Sequence, residues 1–91
     1  MAEITHETVY FSGRVQGVGF RFNVRQIAQE YDVTGFVRNC VDGRVELEVE
    51  GSPGTIREFV AMIEERMHGY VRQIERSATR RTPQFRGFEI R

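Results

Sequence analysis

Gly13-Arg14-Val15-Gln16-Gly17-Val18-Gly19-Phe20-Arg21 is the stretch from which the rest of the chain can be placed. It leaves an alternating run in which Val9, Phe11 and Val15 oppose Tyr10, Ser12 and Arg14, passes through glycines, and ends in an arginine where a helical pattern begins. That order is strand, tight loop and helix N-terminus. Glycine takes up positive φ freely, so successive N–H groups of such a loop can turn inward. A helix N-terminus adds unpaired donors and a partial positive charge. Together they form a small anion cradle, with Arg21 placed to close it. The residues alone accept a second reading, in which Gly17 and Gly19 merely turn a corner and Arg21 is a solvated first-turn side chain. The loop is not a nucleotide P-loop, because no Gly-Lys-Ser/Thr follows. Nor is it a dinucleotide fingerprint, because its glycine spacing is not GxGxxG.

Ninety-one residues suit one domain over 1–91, large enough to bury a core without staples. Thirteen basic residues balance thirteen acidic ones, so no bulk field draws the chain to nucleic acid or membrane. Every basic residue is arginine, which excludes lysine-nucleophile and Schiff-base chemistry and favours bidentate recognition of phosphate. The single Cys40 cannot form an internal disulfide, and there is no charged-then-apolar leader or long apolar run. A reduced, cytoplasmic setting is therefore expected. His6 and His68 lie far apart, with no Cys or carboxylate at ligand spacing, so no structural metal is expected.

Outward from the loop, residues 1–6 read as a short mobile arm and 7–15 as the first strand. Phe20, Val24, Ile27, Ala28 and Tyr31 recur at helical spacing, and Arg21 sits about 100° round from Phe20, free to face the loop. Residues 34–40 and 44–50 read as two strands joined by the Asp42-Gly43 hairpin signal, with Val45, Leu47 and Val49 on a dry face and glutamates on a wet one. Ser52 before Pro53, or Thr55 paired with Glu58, caps a second helix carrying Ile56, Phe59, Val60, Ile63 and Met67, which Gly69 terminates. Residues 70–79 form a weaker strand diluted by arginines, 80–84 a polar turn, and 87–91 a last short strand. The order is β-α-β-β-α-β plus a C-terminal strand. It predicts an α+β, ferredoxin-like split β-α-β sandwich, an antiparallel sheet with two helices on one face.

In that topology the first and third strands are neighbours, the fourth lies beyond the first, and the second beyond the third. The loop after the first strand and the end of the second then open on one region, bringing Asn39 toward the cradle. A neutral amide has donors and an acceptor, so it can hold a water in line for attack on phosphorus without being consumed. By itself, an Asn before Asp-Gly is more often a turn residue.

At this point the residues resemble the acylphosphatase family. The Gly-x-Val-Gln-Gly-Val-x-Phe-Arg motif is matched by Gly13 to Arg21. A second block, Gly-aromatic-Val-basic-Asn followed by Asp-Gly, is matched by Gly35 to Asn39 with Asp42-Gly43. The resemblance runs from about Val9 to Phe88-x-Ile90-Arg91. It implies hydrolysis of the carboxyl-phosphate bond of small acyl phosphates, with no metal, cofactor or phosphoenzyme. Arg21 and the main-chain N–H groups of Gln16, Gly17, Val18, Gly19 and Phe20 would bind phosphate, and Asn39 would position the water. Inorganic phosphate would be both product and competitive inhibitor, and the substrate's phosphate would help take the water's proton. The chain departs from the family pattern at Phe36, where tryptophan is common, at Cys40, where a hydroxyl residue is common, and over 70–86, which match loosely.

Other readings are weaker. Cys40 and Arg44 are too close for a Cys-x5-Arg phosphatase loop. Glu46, Glu48 and Glu50 mimic a metal face but read better as a solvated strand face. Arg72, Arg76, Arg80, Arg81 and Arg86 could contact RNA, yet only Tyr10 offers an aromatic on the wet face. The alternatives kept open are an acylphosphatase-like domain acting on carbamoyl phosphate in a larger system, and a non-enzymatic RNA- or protein-binding module. A free-standing monomer is expected. Nothing in the sequence identifies the residues lining the acyl side of the site.

Overall fold

The alternation that marks the first strand carries through to the backbone of the computed structural model, which describes residues 3–91. Strand β1 (Ile4–Gly13) leads through the glycine loop into α1 (Phe20–Ala28). Strands β2 (Thr34–Asn39) and β3 (Val45–Gly51) form the hairpin, followed by α2 (Pro53–Arg66), β4 (Val71–Arg81) and β5 (Phe88–Ile90). The sheet order is β4-β1-β3-β2-β5, so β1 and β3 are central neighbours as the topology required. Val9, Phe11, Val37, Val45, Leu47 and Val49 supply the sheet's dry face, and both helices lay their apolar stripes on it. Full burial of each such side chain contributes about 1.5–3 kcal/mol.

Two contacts fix the glycine loop between its flanking elements. Phe11 of β1 and Phe20 at the start of α1 pack with ring centroids 5.1 Å apart. Val15 is buried and Val18 packs against the same core, so the loop is pinned between its glycines as well as at its ends. Gly13 has φ +127°, and a Cβ there would lie 2.4 Å from the Tyr70 carbonyl oxygen, a position only glycine can fill. For α2, Ser52 is the N-cap: its Oγ accepts from the Thr55 N–H at 3.3 Å, with Pro53 next.

Several boundaries move, each for a physical reason. β1 starts at Ile4, because as a central strand it is paired on both sides, Thr5 with Gly51 and Ile4 with Arg81. The expected mobile arm over 1–6 therefore gives up residues 4–6, while residues 1 and 2 lie outside those described. Helix α1 ends at Ala28, and Tyr31 beyond it still packs half-buried against Phe59, ring centroids 5.9 Å apart. β4 extends to Arg81, taking in residues expected to turn. β5 pairs with β2 in parallel, so the sheet is mixed rather than wholly antiparallel.

The largest correction concerns the face expected to be wet. Glu46 and Glu50 are buried there, not solvated. Arg38 and Tyr10 both bond Glu46, His6 bonds Glu48 at 2.9 Å, and Arg81 bonds Glu50 at 2.8 Å. Arg76 pairs with Glu7, which has the parity of Val9 and Phe11 and so belongs to the helix side. Three of the thirteen arginines, Arg38, Arg76 and Arg81, thus neutralise buried glutamates. Residues 82–87 then carry the chain from the β4 edge to the β5 edge, about four strand spacings or 19 Å, a distance a near-extended segment can bridge. Along the way the Gln84 and Phe85 N–H groups donate to Glu50 Oε1 at 2.9 and 3.0 Å. The Phe85 ring meets Phe36 edge-on, with centroids 5.7 Å apart.

Candidate active site

The loop donors follow from peptide geometry. Gly19 occupies the N-cap of α1 in the left-handed region at φ +77°, with no side-chain cap. Its carbonyl is engaged twice, by Asn23 N–H at 3.1 Å and Asn23 Nδ2 at 2.9 Å. In a trans peptide the N–H of Phe20 points opposite to that carbonyl, hence out of the helix end toward the loop. Arg14 N–H, just before the loop, is committed to Tyr70 O at 2.9 Å. By contrast, the N–H groups of residues 16–20 have no main-chain acceptor among the described residues.

Three of these residues, Gly17, Gly19 and Phe20, line a cleft of about 190 Å³ together with Arg21 and Asn39, with Phe22 and Ile90 also on its wall. Arg21 lies in the first turn of α1, and its Nη1 donates to the main-chain oxygen of Arg91 at 3.3 Å. That oxygen belongs to the residue after β5, so the segment crossing the open face also delivers the group that steadies Arg21. Asn39 ends β2, paired with Val45 of β3. Its Oδ1 is buried with no hydrogen-bond partner, the one such side-chain atom among the described residues. An orphaned buried acceptor costs about 1–3 kcal/mol. Such a cost at a cleft wall marks a group held ready for something from outside.

The two halves of the site are tied by a side chain whose role has no sequence signal. Gln16 Nε2 donates to Cys40 O at 2.8 Å and Arg44 O at 2.9 Å, joining the glycine loop to the turn that follows Asn39. That turn is closed by Gly43 N–H on Cys40 O and by Cys40 N–H on Arg44 O. Asp42 accepts from the Arg44 backbone N–H and guanidinium. Its carboxyl is held below its ordinary range by the Arg44 N–H first and, against a smaller opposing effect of burial, by the guanidinium. The guanidinium of Arg44 lies 4.2 Å over the Tyr10 ring, anchoring the turn to β1.

Of the residues expected to act, Gly17, Gly19, Phe20, Arg21 and Asn39 share one cleft. Gln16 and Val18, expected to bind phosphate through their main-chain N–H groups, are not in its lining. Sequence reasoning missed the Gln16 tether, the Arg91 oxygen, Ile90 and Phe22. A main-chain oxygen has no residue-type signal, whereas Phe22 had one, since it is an aromatic off the apolar stripe of α1. The cleft lining contains no His, Cys, Asp or Glu. No cluster of three such residues that could hold a metal exists among the described residues.

Comparison with known proteins agrees with this geometry. The acylphosphatase family model matches residues 7–90. An acylphosphatase of Rubrobacter xylanophilus is 44% identical over 84 residues, covering 91% of this chain and 76% of its own. One from a Roseiflexus species is 37% identical over 91 residues, covering 99% and 98%. The crystal structure of acylphosphatase from Bacillus subtilis superposes with a TM-score of 0.87 at 32% identity, covering 94% of this chain and 97% of that one. With both motifs, the fold and near full-length relatives in agreement, the chain belongs to the acylphosphatase family and is an enzyme that hydrolyses the carboxyl-phosphate bond of acyl phosphates.

Proposed function

We propose that the cleft between the glycine loop and the end of β2 is the catalytic site, and that it works without a metal. The phosphoryl dianion would lie against the N–H groups of residues 16–20 and the guanidinium of Arg21, displacing the long contact from Arg21 to the Arg91 oxygen. Asn39 Oδ1 would accept a hydrogen bond from a water and hold it in line with phosphorus. The water oxygen forms the new bond to phosphorus as the bond to the carboxyl oxygen breaks. The electron pair leaves with the carboxylate, and the water's proton passes to a phosphate oxygen of the substrate. Phosphoryl transfer requires alignment and charge stabilisation more than covalent help, and a carboxylate is a good leaving group.

The observation that carries this reading is the orphaned Asn39 Oδ1 on the wall that also holds Arg21. The donor set supports metal independence, because guanidinium, main-chain N–H and one amide are anion binders, not cation ligands. The substrates would be small acyl phosphates, with inorganic phosphate as product and competitive inhibitor, and the working unit one domain acting as a monomer. A cytoplasmic setting fits the lone, half-buried Cys40 and the absence, among the described residues, of a helix long and apolar enough to cross a membrane. The balanced charge gives no reason to expect nucleic acid as a partner.

The test is hydrolysis of acetyl or benzoyl phosphate by the purified chain in the presence of a chelator. Full turnover is expected, with Arg21→Ala lowering kcat/KM by about 10²–10³. Loss of activity in chelator would defeat the metal-free mechanism, and an unimpaired Arg21→Ala would move the anion site elsewhere.

A further inference from the structure

The described residues leave three large hydrophobic side chains substantially exposed: Phe22, Val41 and Tyr70. Val41 sits at the tip of the β2–β3 turn and Tyr70 in the turn before β4, whereas Phe22 alone lines the cleft just assigned to phosphate. It retains 51% of its surface in water and is not among the residues packed against the core. On α1 it stands about 200° round from Phe20, opposite the buried stripe, so core packing does not account for an aromatic there. Ile90 of β5, half-buried and apolar, lines the same cleft.

The cleft is therefore divided by chemistry. Gly17, Gly19 and Arg21 of its lining can bind an anion through N–H groups and a guanidinium, while the side chains of Phe22 and Ile90 are apolar and cannot. An acyl phosphate is divided the same way, a dianionic head joined to a carboxylic acid residue. Once the head is fixed on the loop, the acyl group extends toward the side that cannot bind charge. We infer that Phe22, with Ile90, forms an acyl subsite that selects acyl phosphates with apolar groups, aromatic ones above all, over acetyl phosphate. This rests on the cleft being the phosphate site. The exposed ring gains by being covered, and flat aromatic acyl groups cover it best.

The experiment compares kcat/KM for benzoyl phosphate and acetyl phosphate in the parent chain, Phe22→Ala and Phe22→Leu. Phe22→Ala is expected to lower the benzoyl-to-acetyl ratio about tenfold, mainly through KM, and Phe22→Leu to retain most of the preference. Inorganic phosphate, which has no acyl group, should inhibit all three with the same constant. A ratio that Phe22→Ala leaves unchanged, or equal losses on both substrates, overturns the subsite while leaving the phosphate site standing. A parent chain that hydrolyses neither substrate removes the phosphate site and the subsite together.

Discussion

The cleft and the open face of the sheet hold polar groups in opposite conditions. In the cleft, among the described residues, Asn39 Oδ1 is buried without a partner, the loop donors have no main-chain acceptor, and the one hydrogen bond of the Arg21 side chain is long. On the open face the carboxylates of Glu46 and Glu50 are as buried, yet each is met by an arginine and at least one further donor. Both arrangements use arginine and a deeply placed oxygen. The difference is whether the protein completes the hydrogen bonding itself. Where it does, the group supports the fold, and where it does not, the group is available to a substrate.

Asn39→Ala breaks the comparison on the side of the cleft. In the proposed mechanism it removes the water-positioning oxygen, so kcat should fall by about 10²–10³, as for loss of a preorganised polar group in other hydrolases. Phosphate inhibition should persist, because the loop and Arg21 remain. The melting temperature should hold or rise, since the substitution deletes a buried acceptor with no partner. Steady-state kinetics beside thermal melts check both halves, and normal turnover would take Asn39 out of the mechanism.

On the open face the same change of one polar side chain to alanine should act on stability. Glu50→Ala takes the acceptor from the Gln84 and Phe85 N–H groups and leaves Arg81 without its carboxylate. A loss of about 3 kcal/mol is expected in denaturant unfolding. A loss below about 1 kcal/mol would mean that water satisfies these groups and the segment over 82–87 is held by Phe85 packing alone.

The pH dependence sharpens the contrast. Burial acts most strongly on Glu50 and alone would raise its pKa. The Gln84 and Phe85 N–H groups and Arg81 together outweigh it and hold the carboxyl below its ordinary 4.5. The unfolded chain then binds the proton more readily than the folded one. Glu50 therefore contributes stability that is fully present above pH 4.5 and is lost as pH falls through the lower folded value. Glu50→Gln should flatten the fall in unfolding free energy below about pH 4.5 relative to the parent. An identical acid limb would assign acid sensitivity to other carboxylates.

How much of this was legible in the sequence depended on whether a signal was local. The strands, both helices and the order of the sheet followed from period-two and period-3.6 patterns, whereas Asn39 alone reads as a turn residue and was singled out with Arg21 by the resemblance of their two motifs to the acylphosphatase family. The buried glutamates were misread because alternation assigns a face without saying what covers it. Glu50 looks solvated until the chain over 82–87 crosses it, and nothing near Glu50 announces Gln84 and Phe85. The parallel β5 was hidden for the same reason, since its partner β2 is some fifty residues away. Phe22 was visible but unexplained, an apolar residue off the apolar stripe.

Gln16 offers the smallest and most discriminating test, because it joins the two kinds of region. Both donors of its amide nitrogen are paired, like the groups of the open face, but what the tether holds in place is the unpaired Asn39. Two exposed hydrogen bonds contribute about 1 kcal/mol together, so Gln16→Ala should lower the melting temperature only slightly. Catalysis is more sensitive to placement than stability is, and a shift of the turn by a fraction of an ångström should reduce kcat about tenfold with little change in phosphate inhibition. Gln16→Glu separates tethering from bulk. It keeps the length of the side chain but sets an acceptor against the Cys40 and Arg44 carbonyl oxygens, which need a donor. It should therefore be at least as slow as Gln16→Ala, and a Gln16→Glu enzyme with parental kcat would show that Asn39 keeps its position without this tether.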